Sequence, residues 1–114
     1  MKVAIVGSRE FARMERVNEC VALLPSDSVV ISGNARGVDR AAEEAARQRG
    51  LKVISLPAQW DKYGKSAGYR RNADIVKLAD RVIAFWDGIS KGTLHTINLA
   101  KQKGIPVEIV RILE

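Results

Sequence analysis

Hydrophobic and polar positions along this chain switch repeatedly between two periods. Lys2–Val6 is a β-rich apolar run that stops at Gly7. Phe11, Met14, Val17, Val21 and Leu24 then recur every three or four residues, the spacing of one helix face, and Pro25 with the polar Ser26, Asp27 and Ser28 closes that helix. Val29–Ile31 predicts a second strand. Val38, Ala41, Ala42, Ala45 and Ala46 predict a helix ended by Gly50, whose small side chains allow close packing on a sheet. Val53–Leu56 predicts a third strand, and Pro57 to Tyr69 reads as a loop that is long for a compact domain. Helical spacing resumes at Asn72, Ile75, Val76 and Ala79. Val82–Phe85 predicts a fourth strand and Trp86–Thr93 a loop. Leu94, Ile97, Leu99 and Ala100 mark a last helix, closed by Gly104, before a fifth strand at Pro106–Ile112.

Strands made of continuous β-branched runs and separated by helices imply a mainly parallel sheet covered on both faces. Right-handed crossovers make this a three-layer α/β fold. The expected strand order is 3-2-1-4-5, with the switch point between the first and fourth strands. No linker or compositional shift divides the chain, so residues 1–114 are expected to form one domain.

Composition narrows the function classes. Hydrophobic residues make up 46% and charged residues 28%, ordinary for a folded globular chain. The formal net charge of +6, with a sequence pI of about 9.8, favours anionic partners. The one cysteine, Cys20, lies in an apolar helical pattern and reads as a small core residue. The opening residues turn polar too soon for a signal peptide, and no apolar stretch is long enough to span a membrane, so a cytoplasmic protein without a membrane partner is expected. No spacing of His, Cys, Asp or Glu suggests a metal site, and no GxxxxGK[ST] loop is present, so neither a metal nor another cofactor is expected.

Three glycine-bearing loops follow strands: Gly7–Glu10, Ser32–Asp39 and Trp86–Thr93. In an open parallel sheet the carboxyl ends of the strands share one edge, and ligands bind in the crevice there. Helix N-termini at that edge offer unpaired N–H groups and partial positive charge, which suits phosphate. Arg9, Arg36, Lys62, Lys65, Arg70, Arg71, Lys91 and His95 all fall in or beside loops on this edge. Asp39 falls in the first turn of its helix. It either stabilises the helix dipole or accepts a hydrogen bond from a ribose hydroxyl. Trp60, Tyr63 and Trp86 either stack on a nucleobase or pack beneath the long loop, whereas Phe85 reads as core.

The blocks GSRxF (Gly7 to Phe11), SGxARGVDxxA (Ser32 to Ala42), PAxWxxxGxxAGxxRN (Pro57 to Asn72) and AFWDGxSxGTxHTI (Ala84 to Ile97) resemble the YspA/YpsA-related branch of the SLOG superfamily. That superfamily also contains the Smf/DNA-processing protein A domain and the LOG enzymes. The resemblance covers nearly the whole chain. It implies a Rossmann-like fold that binds a nucleotide or nucleotide-derived ligand, as a sensor or ligand-handling module. The contacts it implies are Gly7, Ser8 and Arg9 in the first loop and Ser32, Gly33, Arg36, Gly37 and Asp39 in the second. Arg71 and Asn72 come from the third block, and Asp87, Gly88, Ser90, Gly92 and Thr93 from the fourth. Asn34 stands where the family pattern more often has a glycine, a change tolerated because Asn adopts left-handed dihedrals. Related proteins often form dimers, so a homo-oligomer is expected.

Two alternatives accompany this reading. A LOG-like N-glycosidase would need a carboxylate to stabilise positive charge on the sugar, but His95 stands where LOG enzymes place a glutamate. Candidate catalytic groups are His95 as an acid for the leaving base, with Asp39, Asp61 and Asp87 as carboxylates; the favoured reading of His95 is a ligand hydrogen-bond donor or a helix-surface residue. Single-stranded nucleic acid is the other alternative, because the second loop and the Arg71-Asn72 pair also resemble the DNA-processing protein.

Overall fold

The computed structural model describes residues 1–9 and 13–111. Five parallel strands lie in the order 3-2-1-4-5: β1 (Lys2–Gly7), β2 (Val29–Ser32), β3 (Lys52–Ser55), β4 (Arg81–Trp86) and β5 (Val107–Arg111). Helices α1 (Met14–Ala22) and α2 (Val38–Gln48) pack on one face. Helices α4 (Ala67–Leu78) and α5 (Lys91–Lys103) pack on the other, and α3 (Trp60–Tyr63) is a single turn leading into α4. The expected order and layers are those observed. Phe11 and Ile112 lie outside the described residues.

Strand alternation divides the core in two. Val3 and Ile5 of β1 face α1 and α2, where Val17, Val21, Val38, Ala42 and Ala46 meet Ile83 and Phe85. Ala4 and Val6 face α4 and α5, where Ile75, Val76, Ile97 and Ala100 meet Val82 and Ala84. The side-chain period of two in a strand and 3.6 in a helix produces this split directly. Cys20 is half-buried against the first cluster, and burial pushes its thiol pKa up, which disfavours the thiolate. The fifth strand departs from the two-sided burial expected of the sheet. It is an edge strand, with Glu108 and Ile109 exposed and Glu108 paired to Arg81 at 3.0 Å.

The segment from Pro57 to Tyr69 is largely helical rather than a loop. After α3 comes a 3₁₀ turn (Gly64–Ser66), and α4 begins at Ala67, well before Asn72. Neither α3 nor the 3₁₀ turn has a buried residue, so the segment carries no hydrophobic period to read. Local contacts hold it instead. Ser66 Oγ donates to the Tyr63 carbonyl, Arg70 Nε donates to Ser66 Oγ, and the Arg70 guanidinium lies 4.4 Å from the Tyr63 ring centre.

The C-terminus of α4 is closed from the neighbouring helix. Lys103 Nζ donates to the carbonyls of Val76, Lys77 and Ala79 at 2.8–3.0 Å. A cation there complements the negative end of the helix dipole and supplies donors to its last carbonyls, of which Val76 also accepts from the Ala79 N–H. Lys103→Met is therefore expected to lower unfolding free energy by about 1 kcal/mol in urea titrations. Exposed Lys101→Met should cost less than about 0.5 kcal/mol; equal losses would show that water serves these carbonyls as well.

Candidate functional site

β1 and β4 stay paired up to Gly7 and Phe85 at the switch point, and a cleft of about 410 Å³ opens beyond their carboxyl ends. Its lining comes from four connections. Gly7 ends β1 and Ser8 and Arg9 follow it, Ala35 and Arg36 come from the β2–α2 turn, and Asp39 comes from the first turn of α2. Arg71, Asn72 and Ile75 come from α4, and Asp87, Ser90, Gly92, Thr93 and Thr96 surround the start of α5. Most of the residues marked in the sequence thus converge on one cleft, at the edge where the N-termini of α2 and α5 supply unpaired backbone donors.

Glycines permit the close approaches. Gly37, with φ +88°, starts α2, and a Cβ there would stand 2.6 Å from the Arg9 carbonyl oxygen. At Gly33 a Cβ would fall 2.6 Å from Arg71 Nη1. The Arg71 guanidinium occupies that space. Its Nη1 donates to the Gly33 carbonyl at 2.7 Å and its Nε to Asn72 Oδ1 at 2.9 Å. Asn34 has φ +56°, the left-handed conformation its residue type tolerates, and its N–H donates to Ser32 Oγ.

Two carboxylates buried on α2 differ in how they are satisfied. Glu43 is 2% exposed and accepts from Ser32 Oγ at 2.8 Å, Ser55 Oγ at 3.4 Å and Arg47 at 3.1 Å. Asp39 is 4% exposed; its Oδ2 accepts a long 3.4 Å bond from the Ala35 N–H, and its Oδ1 makes no hydrogen bond. Burial pushes the Asp39 pKa up to about 6, against the pull of Arg71 and of the nearby amides of Ala35, Gly33 and Gly7. A buried carboxylate oxygen without a donor, on the wall of a cleft, can accept a hydrogen bond from a bound molecule.

Asp87 has a different role. Its Oδ1 accepts from the N–H groups of Ile89 and Ser90 at 2.8 and 2.7 Å, folding the loop before α5, and the Ser90 amide does most to lower its pKa. The Asp87 N–H donates to Ser8 Oγ, tying the first loop to the fourth.

His95 stands behind the cleft rather than in its lining. Asn72 Oδ1 accepts from Arg71, so Asn72 Nδ2 donates, both to the Gly92 carbonyl and to His95 Nδ1 at 3.2 Å. His95 Nδ1 is therefore an acceptor and the ring is the neutral Nε2–H tautomer. Burial lowers its pKa in keeping with that, and its ring lies 4.5 Å from the Tyr69 ring. The structure uses His95 to hold Asn72 in place.

Other marked residues also stand behind the lining. Ser32 is fully buried in the Glu43 network, and Gly37 leaves room for the backbone of Arg9. Gly88 packs against the Arg111 guanidinium, which in turn lies 5.3 Å from the Trp86 ring centre. Lys62 and Lys65 are exposed on α3 and the 3₁₀ turn. Ile75, Thr96 and Glu43 were not marked. The first two sit one helical turn beyond Asn72 and Gly92, a spacing that would have placed them on the same faces. Glu43 follows Ala42 on the apolar side of α2, an irregularity in the pattern that signals a satisfied buried acid. Among the described residues no group of His, Cys, Asp and Glu is placed to hold a metal ion, and no helix is long and apolar enough to cross a membrane.

Comparison with known proteins places this architecture. Gene 61 protein of Mycobacterium phage D29 is 38% identical over 116 residues, covering 93% of both chains. The structure of DNA processing protein A from Streptococcus pneumoniae superposes with a TM-score of 0.82 at 28% identity, over 95% of this chain and 49% of that one. DNA processing protein A from Helicobacter pylori, whose structure describes a single-stranded DNA binding mode, superposes with a TM-score of 0.75 at 22% identity and shares the fold. It is covered over 64% of its length, so this chain spans about half to two thirds of these two solved relatives. The profile of the YspA, cpYpsA-related SLOG family matches residues 1–63. On that match and the near full-length similarity to the phage protein, the chain belongs to the YspA, cpYpsA-related SLOG family.

Proposed function

We propose that the cleft binds a nucleotide or nucleotide-derived molecule, with its phosphate toward Arg9, Arg36 and Arg71 and its sugar toward Asp39. The observation that carries this reading is the buried, unpartnered Oδ1 of Asp39 in a wall that also bears arginines. A carboxylate accepts hydrogen bonds and repels phosphate, so it suits the hydroxyl-bearing end of such a ligand. Guanidinium groups and the N–H groups at the start of α5 suit the anionic end. A thermal-shift screen of nucleoside mono- and diphosphates and ADP-ribose derivatives tests it, followed by calorimetry on any hit. Absence of any saturable shift would refute it.

A second reading, binding of single-stranded nucleic acid, is supported by the net charge of +6 and by the DNA-binding relative of the same fold. Salt separates the two. Affinity for a polyanion should fall steeply between about 50 and 200 mM salt, with a slope that counts phosphate contacts. Affinity for one mononucleotide should fall far less.

Two substitutions follow from the geometry. Arg36→Ala is expected to weaken nucleotide binding about tenfold to a hundredfold, the range for loss of a charge-assisted hydrogen bond. The unliganded melting temperature should stay within about 2 °C. A large loss of stability with unchanged affinity would contradict the assignment.

Asp39→Asn makes an opposite pair of changes. The folded-state pKa of Asp39 lies above its ordinary value of 3.8, so the stability that comes with its protonated form is complete below about pH 4 and lost as pH rises through about 6. An asparagine cannot ionise. The unliganded variant should therefore exceed the wild type in stability above pH 6, by about 2–3 kcal/mol at most, with the gap closing toward pH 4. Its nucleotide affinity should fall. Chemical denaturation across pH 4–8 reads the first effect and calorimetry the second.

A further inference from the structure

A second cavity, of about 420 Å³, adjoins the cleft and shares Arg9, Ala35, Arg36 and Arg71 with it. Beyond that common wall it is lined by Gly33 and Asn34, by Pro57 and Ala58, and at its outer side by Arg40 and Trp60. The two compartments differ in charge. The first contains Asp39 and Asp87; the second contains four arginines and, among the described residues, no acid. Arg71 is held in place by the Gly33 carbonyl and Arg40 by the Asn34 carbonyl, which accepts from Arg40 Nε at 3.3 Å. Trp60 is 53% exposed, and the tip of its indole rests over Gly68, with 3.4 Å to the position a Cβ would take there. A large aromatic ring left in solvent beside positioned cations is the arrangement on which bases stack.

We infer that the ligand comprises two nucleoside units bridged by phosphate: one unit in the Asp39 cleft, the bridge at the shared arginine wall, and the second base on Trp60. This rests on the reading of the cleft given above and specifies its ligand class. The shared chemistry has two sources, a free dinucleotide or a stretch of single-stranded nucleic acid.

The test measures calorimetric affinity of the full chain for the four nucleoside 5′-monophosphates. It then uses two-unit ligands built on the best of them: the 5′-phosphorylated 3′–5′ dinucleotide, the pyrophosphate-linked dinucleotide, and an octanucleotide. At least one two-unit ligand should bind tenfold or more tighter than the monophosphate. Trp60→Ala should abolish that gain and leave monophosphate affinity unchanged, while Trp60→Phe, which keeps a ring, should retain most of it. A gain for the pyrophosphate-linked compound points to a free dinucleotide; a gain for the 3′–5′ dinucleotide that grows in the octanucleotide points to a strand. Either supports the inference. If the monophosphate binds and no two-unit ligand binds more tightly, or if the gain survives Trp60→Ala, the inference is overturned while the cleft assignment stands. If nothing binds, the cleft assignment fails and the inference with it.

Discussion

The guanidinium of Arg71 lies in a space that exists only because residue 33 has no side chain. From α4, on one side of the sheet, it reaches the end of β2 and donates to the Gly33 carbonyl, so one charged group bridges connections from distant parts of the sequence. Its other hydrogen bond fixes Asn72, which in turn holds the first turn of α5 through Gly92 and the ring of His95. Three of the four connections that make the cleft thus hang on a single side chain. The fourth, the loop after β1, joins them through Ser8 and Asp87.

The contrast between Glu43 and Asp39 shows what the fold needs for itself and what it leaves open. Both are acids on α2, one helical turn apart and almost fully buried. Glu43 is surrounded by hydroxyls and an arginine, and its network pins the end of β2 and the end of β3 to the helix. Burial of that acid is offset by hydrogen bonds within the protein. Asp39 has no such offset at Oδ1, although the same helix could have presented an apolar residue there. A buried carboxylate oxygen left in that condition, beside a neighbour whose bonds are complete, is able to accept from an outside donor.

Much of this was legible in the sequence. A sheet buried on both sides writes itself as continuous β-branched runs, and β1, β2 and β4 are of that kind. The convergence of Arg9, Arg36, Asp39 and Arg71 was legible because parallel topology sends every strand's carboxyl end to one edge. The segment from Trp60 to Ser66 was not, since it buries nothing and its geometry comes from side chains bonding to one another. The placement of Gly37 and Ser32 behind the lining was also illegible. A glycine needed by a neighbouring arginine and one needed by a ligand look the same in a string of letters. His95 shows the same limit, for its tautomer depends on which way Asn72 is turned, and that depends on Arg71.

The central pairing of β1 with β4 has a consequence in time. Gly7 lies beside Phe85 in the register, and Ser8 donates its N–H to the Phe85 carbonyl. Contacts that span so much of a chain close slowly, because the loop between them must be ordered first. During synthesis β1 can find β2 early, but the switch point does not exist until β4 has left the ribosome. Until then the arginines of the first two loops have no opposite wall. The cleft is among the last parts of the molecule to come into being, so a nascent chain already able to pair two strands still lacks one of its walls.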